Sequence, residues 1–411
     1  MQRTFYLRCS VLATALAAIA TNRGEDWPTW RGPNRDGRSN EKAQLEGWPK
    51  EGPPVIWRAQ VGPGCSSVTI ADGRAFTMGH ITEDEVGKDV MYCLDAATGK
   101  ELWRFAYPQP LEPLGFVGGP CITPCVEGDR VYTVNKRKRA FCFDVKTGKL
   151  IWDTNPAEVV DPKNQKTMLL YGGHTASPFI HEDLLITGFG GLEKTTGKPR
   201  WTFKRTAKNA TPLPCLLGGK KCVILFCDGL KTGGVAAARL DDGQELWHVP
   251  LGVNTAIADP ILIGDRVFVS WRASTDPTIK CAVLKIGPDG AEVVWRNGAV
   301  SSYLHEFVLW EGHLYGCDEK AGLSCLDFQT GELKWSEKKM QRCQASLVDG
   351  KLLLQSANAL IVADPSPEGY RPLNQMAMKA GGMPAPPVLA NGKLFCRTTA
   401  GEVICLDVTR K

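Results

Sequence analysis

Beyond residue 20 the chain has no apolar run near the ~18 residues that a membrane-crossing helix needs. A chain that does not span a membrane, soluble once mature, is therefore expected. It also has no Gly-x-Ser-x-Gly elbow and no His-Glu-x-x-His pair, which removes the common serine-hydrolase and zinc-protease arrangements. Asp and Glu are plentiful, but no spacing singles out an acid–base pair. Excess charge of one sign is scarce: 49 Lys and Arg against 44 Asp and Glu leave a formal net charge of +5. With no basic groove interleaved with aromatics, nucleic acid is not an expected partner. There are 15 cysteines, but none are adjacent in the chain. Spacings such as Cys121-x-x-x-Cys125 lack a second pair or a histidine at zinc-site distance, so no metal site is expected.

The 43 glycines and 27 prolines suit many turns and few long helices. The first 20 residues read as a secretory signal. Arg3 and Arg8 make a basic start, Val11 to Ala20 is a short apolar stretch, and Ala18-Ile19-Ala20 offers a small-x-small cleavage site. This predicts a periplasmic or secreted protein in which disulfides are permitted. Residues 21–54 then form a lead-in to a domain over 55–411.

A repeat decides the fold. Cys93-Leu-Asp-Ala-Ala-Thr-Gly-Lys-Glu-Leu-Trp103, Cys142-Phe-Asp-Val-Lys-Thr-Gly-Lys-Leu-Ile-Trp152 and Cys325-Leu-Asp-Phe-Gln-Thr-Gly-Glu-Leu-Lys-Trp335 nearly superimpose. Each reads as a strand, a tight turn and a second strand. Asp95, Asp144 and Asp327 can bond turn backbone, Gly99, Gly148 and Gly331 tolerate positive φ, and the following alternation buries the tryptophan. Weaker copies end at Trp201, Trp247 and Trp295, and Val55-Ile-Trp57-Arg58 resembles a last strand with nothing before it. The tryptophans at 57, 103, 152, 201, 247, 295 and 335 follow one another at intervals of 40 to 49 residues, the period of a four-stranded propeller blade. Cys405-Leu-Asp407 looks like a third strand with no fourth. The two chain ends therefore complete one blade, and about 44 residues per blade gives eight. The expectation is an all-β, eight-bladed β-propeller of four-stranded antiparallel blades. Its N-terminal strand completes the C-terminal blade, leaving no free edge. Blade 3 looks irregular, because Gly188-Phe-Gly-Gly-Leu192 is short for a turn plus a strand.

The Ala/Cys-x-Asp-x-x-Thr-Gly-x-x-x-Trp pattern resembles the tryptophan-docking motif of the PQQ-like β-propeller repeat family. That family includes quinoprotein dehydrogenases and BamB-type propellers. The resemblance covers nearly all of residues 55–408, and Trp27-Pro-Thr-Trp30-Arg-Gly-Pro-Asn-Arg-Asp-Gly37 is similar to the lead-in of secreted members. It implies that Trp57, Trp103, Trp152, Trp201, Trp247, Trp295 and Trp335 each dock on a neighbouring blade near its turn glycine. It also implies that PQQ and Ca²⁺ are possible cofactors, although the adjacent cysteine pair of the dehydrogenases is missing.

Other candidates come from the residues alone. Cys93, Cys142, Cys325 and Cys405 share one repeat position and read as small buried side chains. Local disulfides are conceivable for Cys121 with Cys125, Cys222 with Cys227, and Cys317 with Cys325. Lys136-Arg-Lys-Arg139 reads as a solvated hairpin that could meet an anionic polymer. His174 follows a long connection, Asp153 to Leu170, and Tyr303, His305 and Glu306 open another blade, so these four form a candidate ligand pocket. With no complete catalytic set, the first expectation is a monomeric binding scaffold for a protein or polysaccharide partner in the cell envelope. The alternative is a PQQ-dependent dehydrogenase relative acting on alcohols or sugars, and a small-ligand binder is a third reading.

Overall fold

The computed structural model describes residues 24–111, 118–154, 173–229, 231–302, 304–318 and 320–410. The signal-peptide expectation, Tyr303 and most of the long connection before His174 lie outside them. The described residues contain strands but no α-helix, and the strands make eight sheets. Blade 1 is Thr69–Ala71, Arg74–Glu83, Val86–Asp95 and Glu101–Pro108. The next six blades repeat that up-and-down order, with last strands at Leu150–Thr154, Pro199–Thr202, Glu245–Pro250, Ala291–Asn297, Leu333–Glu337 and Arg371–Ala377. Blade 8 takes Val388–Ala390, Lys393–Arg397 and Glu402–Asp407 from the C-terminus and Val55–Gln60 from the start of the repeat region. The ring closes there, with Arg58 opposite Ile404. Blade 3 is a complete sheet: Gly188-Phe189 alone links its second and third strands, and the third, Gly190–Glu193, pairs on both sides.

Second and third strands read as unbroken apolar runs because both of their faces are covered by neighbouring blades. Phe76, Met78 and Met91 of blade 1, for instance, pack on Val131, Phe141 and Phe143 of blade 2. Fourth strands lie at the rim and alternate. Every ladder between third and fourth strands also slips by one residue at the same place. Cys93 faces Trp103, but Leu94 faces Glu101, so Leu102 has no partner. Such a bulge re-aims side chains. Here the tryptophan turns toward the next blade while the skipped residue (Ile56, Leu102, Ile151, Val294 or Leu373) is pushed out to solvent. The exposed Ile56, Leu102, Ile151 and Val294 are thus a by-product of docking.

The docking contacts are uniform. Indole Nε1 donates to a turn carbonyl of the next blade: Trp57 to Ala96, Trp103 to Val145, Trp152 to Lys194, Trp247 to Gly287, Trp295 to Phe328 and Trp335 to Ser366. Trp201 is the exception. Its ring covers Gly191 of its own blade and Gly243 of the next, and its Nε1 has no partner. In blade 7, Asn374 stands where the tryptophan would be, opposite Val362. Its Nδ2 donates to the Leu45 carbonyl of the lead-in (2.6 Å), and Ala43, Leu45 and Trp48 help fill the space between blades 7 and 8.

None of the three local disulfides forms. Cys222 and Cys227 share one strand an odd number of residues apart, so they point to opposite faces. Cys325 is opposite Tyr315, diagonal to Cys317 and too far to bond it. Cys125 is buried in the core between blades 2 and 3, whereas Cys121 is not. The disulfide that the structure does contain joins Cys317 to Cys343, Cα atoms 5.8 Å apart.

Candidate functional site

A polar girdle lines the channel where the first strand of each blade begins. Backbone N–H groups donate to the side chain at the matching position one blade on: Ser67 to Thr123, Thr123 to Ser177, Ser177 to Thr211, Thr211 to Asp259, Asp259 to Glu306, and Glu306 to Gln344. The relay stops at blade 8, where Pro386 has no N–H and instead accepts from Ser67 Oγ through its carbonyl. Serine and threonine serve at the first four positions. Acids take over at blades 5 and 6.

Those acids receive the lead-in. Trp30 Nε1 donates to Asp259 (2.7 Å), and Arg31 pairs with Glu306 (3.0 Å) while also donating to the Phe307 carbonyl. Burial pushes both carboxyls above the usual range; Arg31 opposes this in both. The same segment bonds Ile70 of blade 1 through Trp27, Val126 of blade 2 through Pro28, and Ile180 of blade 3 through Arg35. Arg38-Ser39 then adds a short parallel strand to blade 7, and Glu41 accepts from Asn391 and Gly392 of blade 8. Residues 27–41 thus touch seven of the eight blades along their innermost strands. The lead-in crosses the inner strands of the ring and reaches the first-to-second-strand turn of blade 8.

Of the ligand-pocket candidates within the described residues, His174 stands at blade 3 whereas His305 and Glu306 stand at blade 6. His174 is buried at the entry of blade 3 against Phe189, and its pKa is pushed down to about 3 by burial. His305 is buried at the entry of blade 6, lowered to about 4 for the same reason, with neither ring nitrogen bonded. Glu306 belongs to the girdle. Lys136, read as solvated, is buried with its Nζ on the Gly118 carbonyl.

A different cluster lies between blades 1 and 2, at the end of the ring where the first strands begin. His80 and Asp89 are opposite one another on neighbouring strands, as are Asp89 and Tyr107. Gln109 follows two residues on, its N–H bonded to Gly87. All four are buried. His80 Nδ1 is 2.9 Å from Asp89 Oδ1. Yet, among the described residues, His80 Nε2, Asp89 Oδ2, the Tyr107 hydroxyl and Gln109 Nε2 have no partner. Burial raises the Asp89 carboxyl and the Tyr107 hydroxyl. Four unpaired polar atoms in one row are unusual, since buried polar groups are nearly always satisfied. The row suits ordered water or a small polar ligand. Its sequence signal was a single polar side chain beside an apolar run, His80 after Phe76-Thr77-Met78-Gly79 and Asp89 before Val90-Met91.

The described channel residues do not fit a quinone tricarboxylate with calcium. No group of three or more His, Cys, Asp or Glu among them is placed to hold a metal ion. The buried Arg397 guanidinium, a natural carboxylate partner, is turned onto the carbonyls of Gly62, Gly64, Met78 and Thr398.

A family model described as outer membrane protein assembly factor BamB matches residues 87–337. The chain belongs to that family. The BamB of Yersinia pestis is 19% identical over 370 residues, 85% of this chain and 88% of that protein. Tetrathionate hydrolase of Acidithiobacillus ferrooxidans is 24% identical over 53% of this chain and 44% of its own length. Two solved structures share the fold: BamB from Moraxella catarrhalis (TM-score 0.60, 12% identity, 86% of this chain and 99% of that one) and quinohemoprotein alcohol dehydrogenase from Comamonas testosteroni (0.62, 12%, 94% and 81%). The PQQ-like propeller is thereby established, and a binding role fits this BamB-family chain.

Proposed function

We propose that this BamB-family chain is an exported, monomeric scaffold of the cell envelope that docks a protein partner on the open face of the ring. The signal-like residues 1–20 support export, and among the described residues no helix is long and apolar enough to cross a membrane. One observation carries the choice of face. The middle hairpin of blade 1 has two ten-residue strands and projects on the side opposite the lead-in. Its tip, Asp84-Glu85, holds two consecutive non-glycine residues at positive φ (49° and 63°), with Val86 exposed beside them. A two-residue turn with φ positive at both positions normally takes Asn-Gly. Keeping acids there costs stability, and strain of this kind collects at functional sites.

The test is a photo-crosslinker at Val86 in envelope preparations, paired with a variant whose residues 82–87 are trimmed to an Asn-Gly tip. A protein adduct at Val86, and at least tenfold weaker capture by the trimmed variant with an unchanged Tm, are expected. Adducts to glycan alone, or equal capture by the trimmed variant, would overturn the reading. The dehydrogenase alternative predicts a spectral shift with micromolar PQQ and Ca²⁺; none is expected.

A further inference from the structure

The connections that enter blades 1 and 2 run side by side where the first strands begin. The Cys65 and Ser66 N–H groups both donate to the Pro120 carbonyl (2.9 and 3.1 Å). A Cβ on Gly119 would stand 2.2 Å from the Pro63 carbonyl oxygen, so glycine permits the close approach. This pairing sets Cys65 beside Cys121, whose Sγ lies 3.7 Å from the Gly119 carbonyl. Both residues are partly exposed, whereas Cys125, Cys142 and most other free cysteines are buried. The positive charges of Arg397 and Lys136 act on both sulfurs. Contact with Cys65, aided by those charges, holds Cys121 below the usual thiol range, while contact with Cys121 and burial push Cys65 above it. Two neighbouring cysteines, each partly exposed as a residue and set near cations, make the environment of a reactive cysteine pair.

We propose that Cys65 and Cys121 are a redox-active pair that closes into a disulfide between those two connections, by exchange with a small-molecule disulfide. Cys121 gives up its proton and its sulfur attacks one sulfur of the oxidant. The oxidant's S–S bond breaks, and the first leaving thiolate takes up a proton. Cys65 then gives up its proton, and its sulfur attacks the Cys121 sulfur of the mixed disulfide, releasing the second thiol. Two protein thiols are oxidised by two electrons and one disulfide is reduced to two thiols. The product ties the entry of blade 1 to that of blade 2, beside the His80–Asp89 row. Cys317–Cys343 differs, because it is buried between blades 6 and 7 and serves packing. The proposal is independent of the partner reading.

The test uses the full chain, reduced and then exposed to oxidised glutathione at pH 7.5. Free thiols are alkylated, the protein is digested without reduction, and linked peptides are identified by mass spectrometry. A Cys65–Cys121 link that dithiothreitol reverses is expected, with Cys317–Cys343 as internal control. In the Cys65→Ser variant, Cys121 should accumulate as the glutathione mixed disulfide. In Cys121→Ser, Cys65 should react about tenfold more slowly. Formation of the control link without Cys65–Cys121 would overturn the proposal, as would equal reactivity of the two variants.

Discussion

Gly148 sits at φ 69° directly under the Trp103 ring, and a Cβ there would lie 2.5 Å from the indole. Gly128 has a similar φ of 57°, but nothing stands within 4 Å of the Cβ position. The pair separates backbone strain from docking. Gly128→Ala should cost ~1 kcal/mol, the left-handed penalty alone. Gly148→Ala should cost ~3 kcal/mol or more, because Trp103 must move and give up its bond to the Val145 carbonyl. Urea midpoints of the two variants decide it, and equal shifts would mean that docking adds nothing beyond the turn. The buried histidines set a second residue-scale outcome. His174 and His305 are held near 3 and 4 by burial, against about 6.5 when unfolded. The unfolded chain therefore binds more protons below pH 6.5, and stability is full above that value and lost as the pH falls toward 4. Each pH unit crossed costs up to ~1.4 kcal/mol per histidine. The raised Asp259 and Glu306 carboxyls act in the opposite sense, so the histidine slope is read as the difference in thermal unfolding between the parent and a His174→Gln, His305→Gln variant from pH 7 to pH 4, the variant losing less stability.

At the scale of elements, the lead-in acts as a strap pinned by one guanidinium. Arg31 is the counter-charge of two buried carboxyls, Glu306 and Asp259. Removing one partner of a buried pair leaves an uncompensated charge, worth ~3–5 kcal/mol. Arg31→Met should destabilise by about that much, and adding Glu306→Gln should recover part of it. Identical Tm values for the single and double variants would show that Arg31 acts by packing alone. This strap also marks where reading the sequence stopped. The docking turn is local: Asp95 Oδ1 accepts from the Ala97 and Thr98 N–H groups and the Thr98 hydroxyl, so eleven residues carry the whole motif and its copies stand out. The eighth docking position is different, because Asn374 is completed by Leu45, which is far away in the chain. The girdle stayed hidden for a related reason. Its bonds join residues 34 to 56 positions apart, and Ser, Thr, Asp, Glu and Gln all serve the one role. His80, Asp89, Tyr107 and Gln109 gather only once three strands are in register, whereas His174 and His305 stood out by their neighbours in sequence and lie buried in separate blades.

For the whole molecule, the ring turns a one-dimensional repeat into a closed object. In an open array of blades each unit contacts only its neighbours, and the two terminal units are weakest. Here blade 8 is built from both ends of the repeat, with Gln60 opposite Glu402 and Arg58 bridging Glu402 at 3.0 Å. That exposed ion pair adds little by itself. What holds the ring is the ladder and the core formed by Trp57, Phe395 and Cys405 of blade 8 with Val90 and Tyr92 of blade 1. Closure therefore requires chain segments some 340 residues apart to meet, which makes it the step with the greatest loop entropy. A cross-link should reveal this. Gln60→Cys with Glu402→Cys would seal the joint, and Lys285→Cys with Glu292→Cys would bridge an equivalent ladder inside blade 5. Chain entropy predicts that the long bridge stabilises by about 3 kcal/mol more than the short one. Oxidised and reduced forms of each variant, compared by thermal unfolding, give that difference directly. If the two bridges raise Tm equally, unfolding does not begin at the seam, and the weakest blade lies elsewhere in the ring.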